Sequence, residues 1–319
     1  MKLLINHKIS QINIGLLEKA GFEITAITVA QNQLINYINN NEFEAIITSS
    51  KTAINRDFID NCADIKIIGC DLNSVNNDDI EYANSQNVKL VNTSDGYAIA
   101  VAELVFAHLF SMVRFLHQTN REMPLDGDHR FNEFKNHYSK GIELRGKTLG
   151  IIGLGKTGKE VAKIALGLGM KIITSSSKLK TEVIEISFFD GRKINFDIKT
   201  QPLENLLKKS DFISIHTPFN NSPLINTEQI KLMKTGVGII NTSFGGVLDE
   251  VALIEAINSK KVKYAALDVF ENEPKPEIPI LMNPEVSLSP HIGGATIESK
   301  IKSEEILVNN FIEYYKIKE

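Results

Sequence analysis

Cysteine is scarce: Cys62 and Cys70 are the only two among 319 residues. A disulfide framework needs more than this. Both lie in one early stretch beside apolar runs, so buried, reduced thiols are expected. No apolar run approaches the roughly 20 residues that span a bilayer. The opening Met1-Lys2-Leu3-Leu4-Ile5-Asn6 has no small-residue cleavage site of a signal peptide. A cytoplasmic protein with no membrane contact is the expectation. The net charge is only −4 and no dense Lys/Arg stripe occurs, which argues against a nucleic-acid partner. His7, His129 and His137 show no metal-ligand spacing with cysteine or carboxylates, so no metal is expected. Internal repeats and low-complexity tracts are also missing.

What is present is an ordinary globular composition, 43% hydrophobic and 23% charged. The length exceeds what one compact core usually holds, so two domains are expected. Residues 3–6, 24–29, 45–48, 65–69 and 88–92 have the apolar character of strands, and segments with helical spacing, such as 11–20 and 31–41, lie between them. This alternation predicts an α/β fold with parallel sheets and right-handed crossovers. Residues 101–117 are apolar on most sides and predict one buried helix, joining domains or meeting another subunit. His108 and His117 on it are expected to be packing or arm residues. The polar stretch 117–146, with a proline and several glycines, predicts a loop or arm. From Lys147 a second alternation begins, with strands expected at 148–152, 171–174, 211–216, 238–241, 263–268 and 286–289 and a helix at 156–168. Two β-rich runs within 183–198 flank Asp190-Gly191-Arg192, which predicts an inserted hairpin. The last helix, expected over 297–315, places Ile301, Leu307, Val308, Phe311 and Tyr315 on one apolar face.

Gly153-Leu154-Gly155-Lys156-Thr157-Gly158 follows the strand at 148–152 and opens a helix. The first glycine of such a run permits the tight turn, the second lets backbone approach a pyrophosphate, and the third lets helix and strand pack closely. The helix N-terminus adds unpaired N–H groups and partial positive charge. In this strand–turn–helix setting the motif predicts a dinucleotide site. An NAD site expects a carboxylate at the end of the next strand for the ribose hydroxyls. Here the chain has Thr174-Ser175-Ser176-Ser177-Lys178. Hydroxyls and a lysine suit a 2′-phosphate better, so either NADP or NAD remains as cofactor, the alternative being a surface loop that has lost selectivity.

Further runs complete a pattern: Val101-Ala102-Glu103, Leu144-Arg145-Gly146-Lys147-Thr148-Leu149-Gly150-Ile151-Ile152-Gly153, His216-Thr217-Pro218, Asn241-Thr242-Ser243-Phe244-Gly245-Gly246, Ala266-Leu267-Asp268-Val269-Phe270-Glu271-Asn272-Glu273-Pro274 and Ser289-Pro290-His291-Ile292-Gly293-Gly294. In order and spacing the chain resembles the D-2-hydroxyacid dehydrogenases along nearly its whole length, most closely the short phosphoglycerate dehydrogenases. The resemblance implies a Rossmann-type dinucleotide-binding domain, 99–292, inserted into a smaller flavodoxin-like parallel-sheet substrate domain, 1–98 and 293–319, with the site in the cleft. It also implies a homodimer and a small-molecule substrate. By position His291 matches the general acid, Glu273 its carboxylate partner, and Asp268 the residue that meets the nicotinamide amide. His216 and Pro218 match the loop near the adenine. Ser243 and Gly293 flank the cofactor, with Gly153, Gly155, Lys156, Thr157, Gly158, Ser175, Ser176, Lys178 and His291 completing that set. Ser49, Leu72, Asn73, Ser74 and Tyr97 fall where the substrate pocket is expected.

The chain departs from the family where the substrate's negative charge is gripped. The catalytic arginine of the Asn-Thr-Ala-Arg-Gly-Gly pattern is Phe244, which cannot donate a bidentate hydrogen bond. The loop Gly-Val-Gly-Val-Asp-Asn is Leu72-Asn73-Ser74-Val75-Asn76-Asn77, and an early-loop arginine is Ser49, with Lys51 nearby. Ala100 stands where a helix-capping Ser or Thr is usual. These changes argue against 3-phosphoglycerate and for a less anionic carbonyl or imine, with Phe244 packing against it. Two readings follow: an NAD(P)-dependent oxidoreductase of altered substrate choice, or a catalytically impaired homologue that binds a nucleotide or a protein.

Overall fold

The computed structural model describes residues 1–49, 52–70, 72, 75–93 and 96–318, without the side chains of Asn77, Ile317 and Lys318. It divides into two compact units: Met1–Tyr97 with Ala295–Glu319, and Ala98–Gly294.

The first unit alternates β1 (Lys2–Ile5), α1 (Gln11–Lys19), β2 (Glu23–Ala26), α2 (Gln31–Asn40), β3 (Ala45–Ile47), α3 (Arg56–Asn61), β4 (Ile67–Cys70), α4 (Asn77–Ser85) and β5 (Lys89–Asn92). Its strands form one parallel sheet in the order β2-β1-β3-β4-β5, the flavodoxin-like arrangement. Successive side chains of a strand point to opposite faces. Leu4, Ile46, Ile68 and Leu90 therefore meet Leu34, Ile38, Phe58 and Ile59 on one side. Leu3, Ile5, Ala45, Ile47, Ile67 and Val91 meet Leu17 and, from the last helix, Leu307, Val308 and Phe311 on the other. Ile301 lies outside this face and is 54% exposed, a correction to the expected apolar stripe. α3 and α4 complete the expected alternation of strands and helices. Both are short, and asparagines start them: Asn55 accepts from the Phe58 N–H and Asn76 from the Asp79 N–H. Cys62 and Cys70 are buried thiols.

The second unit opens with α5 (Ala98–Val113) and α6 (Leu116–His137). The single helix expected over 101–117 is thus two, broken at Arg114 and Phe115, where Phe115 is left-handed with φ 59°. The loop expected over 117–146 is mostly α6, which accommodates Pro124 and deviates at Arg130. Its polarity marks a solvated face: Arg130 pairs with Asp126 and Glu133 along it, while Phe134 and Gly127 are buried. Ala100 lies within α5, not at its cap.

Then follow β6 (Thr148–Ile152), α7 (Lys156–Gly167), β7 (Lys171–Ser175), β8 (Thr181–Ser187), β9 (Lys193–Lys199), α8 (Leu203–Lys209), β10 (Phe212–Ile215), α9 (Thr227–Leu232), β11 (Val237–Asn241), α10 (Glu250–Asn258), β12 (Val262–Leu267), α11 (Ile278–Leu281) and β13 (Val286–Leu288); α12 (Ile297–Lys318) returns to the first unit. Six strands make a parallel sheet in the order β13-β12-β11-β10-β6-β7. They are near-continuous apolar runs because helices cover both faces. The hairpin β8–β9 is a separate antiparallel pair, with Gly191 at φ 83° in its turn. No single helix among the described residues is long and apolar enough to cross a membrane.

Candidate active site

In the second unit the chain leaves β6 for β7 on one side and crosses to β10 on the other. Ligands of open α/β sheets bind where the strand order reverses in this way. A cavity of about 840 Å³ opens there, lined by Gly153, Leu154 and Gly155 after β6, Ser175, Ser176, Ser177 and Lys180 after β7, and His216, Thr217 and Pro218 after β10, among others.

The three glycines differ in what surrounds them. At Gly153, φ is +94° and a Cβ would stand 2.2 Å from the His216 carbonyl oxygen. At Gly158 a Cβ would stand 2.0 Å from the Gly153 carbonyl oxygen, so helix α7 rests directly on the turn. At Gly155 a Cβ would meet nothing within 4 Å. The space that this missing side chain leaves open would let a pyrophosphate reach backbone N–H groups. The residues present therefore fit a dinucleotide. Lys156 and Thr157 form the first turn of α7 without lining the cavity.

After β7 the wall carries hydroxyls and no carboxylate. Lys178, expected here, is not among the lining residues; Lys180 is. Sequence reasoning missed it because the chain enters β8 there. Lys180 pairs with Glu182 at 2.7 Å, and Glu182 also holds Lys159 of α7 at 2.6 Å. Hydrogen bonds from Lys159 and then Lys180 hold the Glu182 carboxyl down at about 2. His216 lies beside Ser214, whose Oγ is 2.7 Å from Nε2. Burial pushes the His216 imidazole down to about 3, so it is neutral.

A second group of residues gathers after β11, β12 and β13. His291 Nδ1 lies 2.7 Å from Glu273 Oε2. The Phe270 N–H donates to Glu273 Oε1 at 3.0 Å, which fixes the carboxylate's other oxygen. The loop bearing Glu273 is clasped by α10: the Glu250 N–H donates to Glu271 Oε1 at 2.9 Å, and the Glu271 N–H to Glu250 Oε1 at 2.8 Å. Glu250 is buried, which raises its pKa. The sequence offered no signal for this clasp. Asp268, 1% exposed, accepts from the Ser289 hydroxyl and from the Ile292 and Gly293 N–H groups. Phe244 follows β11, half-buried against the core, and its carbonyl accepts from Asn241 Nδ2 at 2.9 Å. Ser243 donates from both N–H and hydroxyl to Asn241 Oδ1.

Of the expected substrate-pocket residues, Ser49, Leu72 and Tyr97 belong to the first unit. Ser49 follows the C-terminal end of β3, Leu72 follows β4, and Tyr97 comes after β5. The Leu72 N–H donates to Asn92 Oδ1 at 3.2 Å. Asn73, Ser74 and Lys51 lie outside the described residues.

Comparison with known proteins agrees with this geometry. Residues 106–293 match the D-isomer specific 2-hydroxyacid dehydrogenase, NAD binding domain. The chain is 34% identical over 302 residues to a D-3-phosphoglycerate dehydrogenase of Methanocaldococcus jannaschii, covering 94% of this chain and 55% of that protein. It spans about half the length of the phosphoglycerate dehydrogenases it matches. It is also 34% identical over 290 residues to a hydroxypyruvate reductase of Thermotoga maritima, covering 89% of this chain and 88% of that one. Among solved structures, an acyclic imino acid reductase in complex with NADPH and D-Arg superimposes with a TM-score of 0.77 at 25% identity, covering 98% of this chain and 97% of the other. With its glycine turn, its parallel sheet and a matched span of more than half its length, the chain belongs to the D-isomer specific 2-hydroxyacid dehydrogenases, a family of nicotinamide-dependent oxidoreductases.

Proposed function

We propose that this chain reduces, or forms by the reverse oxidation, a small carbonyl or imine substrate less anionic than 3-phosphoglycerate. The observation that carries the reading is the His291–Glu273 pair. A carboxylate only accepts, so Nδ1–H donates to Glu273 and Nε2 is left as the exchangeable site. The His291 side chain is 60% exposed and Glu273 35%, so a substrate can reach the imidazole. When bound, the nicotinamide supplies or accepts the hydride. His291 gives its Nε2 proton to the substrate's carbonyl oxygen or imine nitrogen in reduction and takes it back in oxidation. Phe244, in the arginine's place, offers neither charge nor donor, and this favours a substrate that needs no carboxylate clamp.

The test is a panel of keto acids, ketones and imines assayed with NADH and NADPH, glyoxylate and hydroxypyruvate included. His291→Ala is expected to lower turnover by about 10²–10⁴-fold with cofactor affinity unchanged. Equal turnover in that variant refutes the mechanism. Phe244 also favours a second reading, a nucleotide-binding homologue without catalysis; tight cofactor binding with no hydride transfer across the panel selects it.

The hydroxyls of Ser175–Ser177 and the Lys180 ammonium support NADP over NAD. Calorimetric titration is expected to show tighter NADPH binding, and Lys180→Ala to weaken NADPH by roughly ten-fold while sparing NADH. A homodimer is proposed by family analogy, with sedimentation as its check.

A further inference from the structure

His108 lies on α5, 5% exposed, and both its ring nitrogens are engaged: Nδ1 is 2.9 Å from Ser287 Oγ and Nε2 is 2.9 Å from Ser289 Oγ. It is therefore more than the packing residue expected from its apolar helix. Ser289 Oγ donates to Asp268 Oδ1 at 2.6 Å. Asp268 Oδ1 also accepts from the Ile292 N–H at 2.9 Å, and Oδ2 from the Gly293 N–H at 2.8 Å. The Asp268 carbonyl accepts from the His291 N–H at 2.8 Å. The row Ser287, His108, Ser289, Asp268 thus ends on the backbone that bears His291. That backbone needs holding: His291 is left-handed at φ 52°, a region most side chains avoid.

Proton counting fixes the direction of each bond. Asp268 can only accept, so the single Ser289 hydroxyl hydrogen is committed to it. The Ser289 oxygen then accepts from His108 Nε2–H. Burial lowers the His108 pKa and outweighs the nearby Asp268 charge, which leaves a neutral ring with one N–H. Nδ1 is therefore an acceptor, and the Ser287 hydroxyl donates to it.

We propose that His108 is a positioning residue for proton transfer: its Nε2–H orients Ser289 toward Asp268, and Asp268 then locks the Ile292 and Gly293 amides and the strained backbone of His291. The functional part of this inference rests on the reading of His291 given above. The proposal makes one nitrogen matter and the other not. A glutamine side chain can place an N–H near the Nε2 position, whereas asparagine reaches only the Nδ1 position.

The experiment is site-resolved hydrogen exchange on the full chain, comparing His108→Gln, His108→Asn, His108→Leu and Ser289→Ala with the unaltered protein. In the Leu, Asn and Ser289→Ala variants, exchange at Ile292 and Gly293 is expected to speed up by about ten-fold or more. In the Gln variant it should stay within about three-fold of the original. The double variant His108→Leu/Ser289→Ala should exceed Ser289→Ala by little, since both break one row. Unchanged exchange in His108→Leu, or equal behaviour of Gln and Asn, overturns the proposal. So does faster exchange spread evenly through β12 and β13, which marks a packing residue. The readout needs no substrate. If His291→Ala keeps full turnover while the Gln/Asn contrast holds, the catalytic reading fails and the positioning of the loop stands.

Discussion

Gly155 and Gly158 are three residues apart, and one added methyl group should harm them in opposite ways. At Gly158 the new Cβ would begin 2.0 Å from a backbone carbonyl oxygen, whereas real Cβ atoms keep at least 3.0 Å. Helix and turn must separate by about 1 Å, and no flexible side chain can absorb the shift. Overpacking of this kind costs ~2–3 kcal/mol, offset by ~1 kcal/mol from alanine's better helix propensity. The net loss of about 1–2 kcal/mol lowers Tm by roughly 2–8 °C. At Gly155, φ is −83°, which alanine adopts freely, and the Cβ enters open space. Stability should hold or rise by ~0.4–1 kcal/mol through a less flexible unfolded chain. Cofactor affinity should nevertheless fall by about ten-fold or more, because the methyl stands where phosphate oxygens meet the backbone. Thermal denaturation without cofactor and calorimetry with NADH and NADPH separate the two effects. A Gly155→Ala protein that binds both dinucleotides normally, or a Gly158→Ala protein that melts no earlier than the original, refutes this account of the turn.

Asp268→Asn sets an amide donor against N–H and O–H donors at a buried site; a loss of about 2–4 kcal/mol is expected, and an unchanged denaturant midpoint counts against the network. Burial pushes the Cys62 thiol up to about 11, so the native chain should resist alkylation at pH 8 until it is unfolded; rapid native labelling of Cys62 contradicts its burial. Folding buries the His216 imidazole and pushes its pKa from the ordinary 6.5 down to about 3. Between those values the unfolded chain binds the extra proton, so this histidine's contribution is complete above pH 6.5 and falls as acid is added, by at most ~1.4 kcal/mol per pH unit. His216→Gln should flatten the acid limb of a denaturant-midpoint profile by up to one proton, and an identical slope refutes the assignment.

Much of the fold was legible because its signals are local. The apolar strands of both parallel sheets, the glycine turn and the Asp190-Gly191 hairpin each declare themselves within a few residues. Polarity misled at 117–146, since it reports the solvent around a segment and not its backbone, and α6 is a helix wetted on most sides. Asn55 and Asn76 cap α3 and α4, a role that depends on the backbone around them and not on the asparagine alone. At the site, the His291–Glu273 pairing was readable only through family resemblance. The His108 row was not readable at all, because its serine partners are 179 and 181 residues away in sequence. Lys180 displaced Lys178 on the cavity wall for a similar reason: the start of an inserted hairpin decides which lysine turns inward.

The first unit takes its last core side chains, Leu307, Val308 and Phe311, from α12, while all of its strands precede Thr93. This has a temporal consequence. At about 5–20 residues per second, a ribosome needs roughly 10–40 s to pass from the end of β5 to the start of α12. Throughout that interval one face of a five-stranded sheet has no helix to cover it where α12 will lie, although the inserted unit is emerging complete. Unfinished parallel sheets are prone to aggregate. The order of synthesis therefore makes the first unit, although begun before the second, the last of the two to mature.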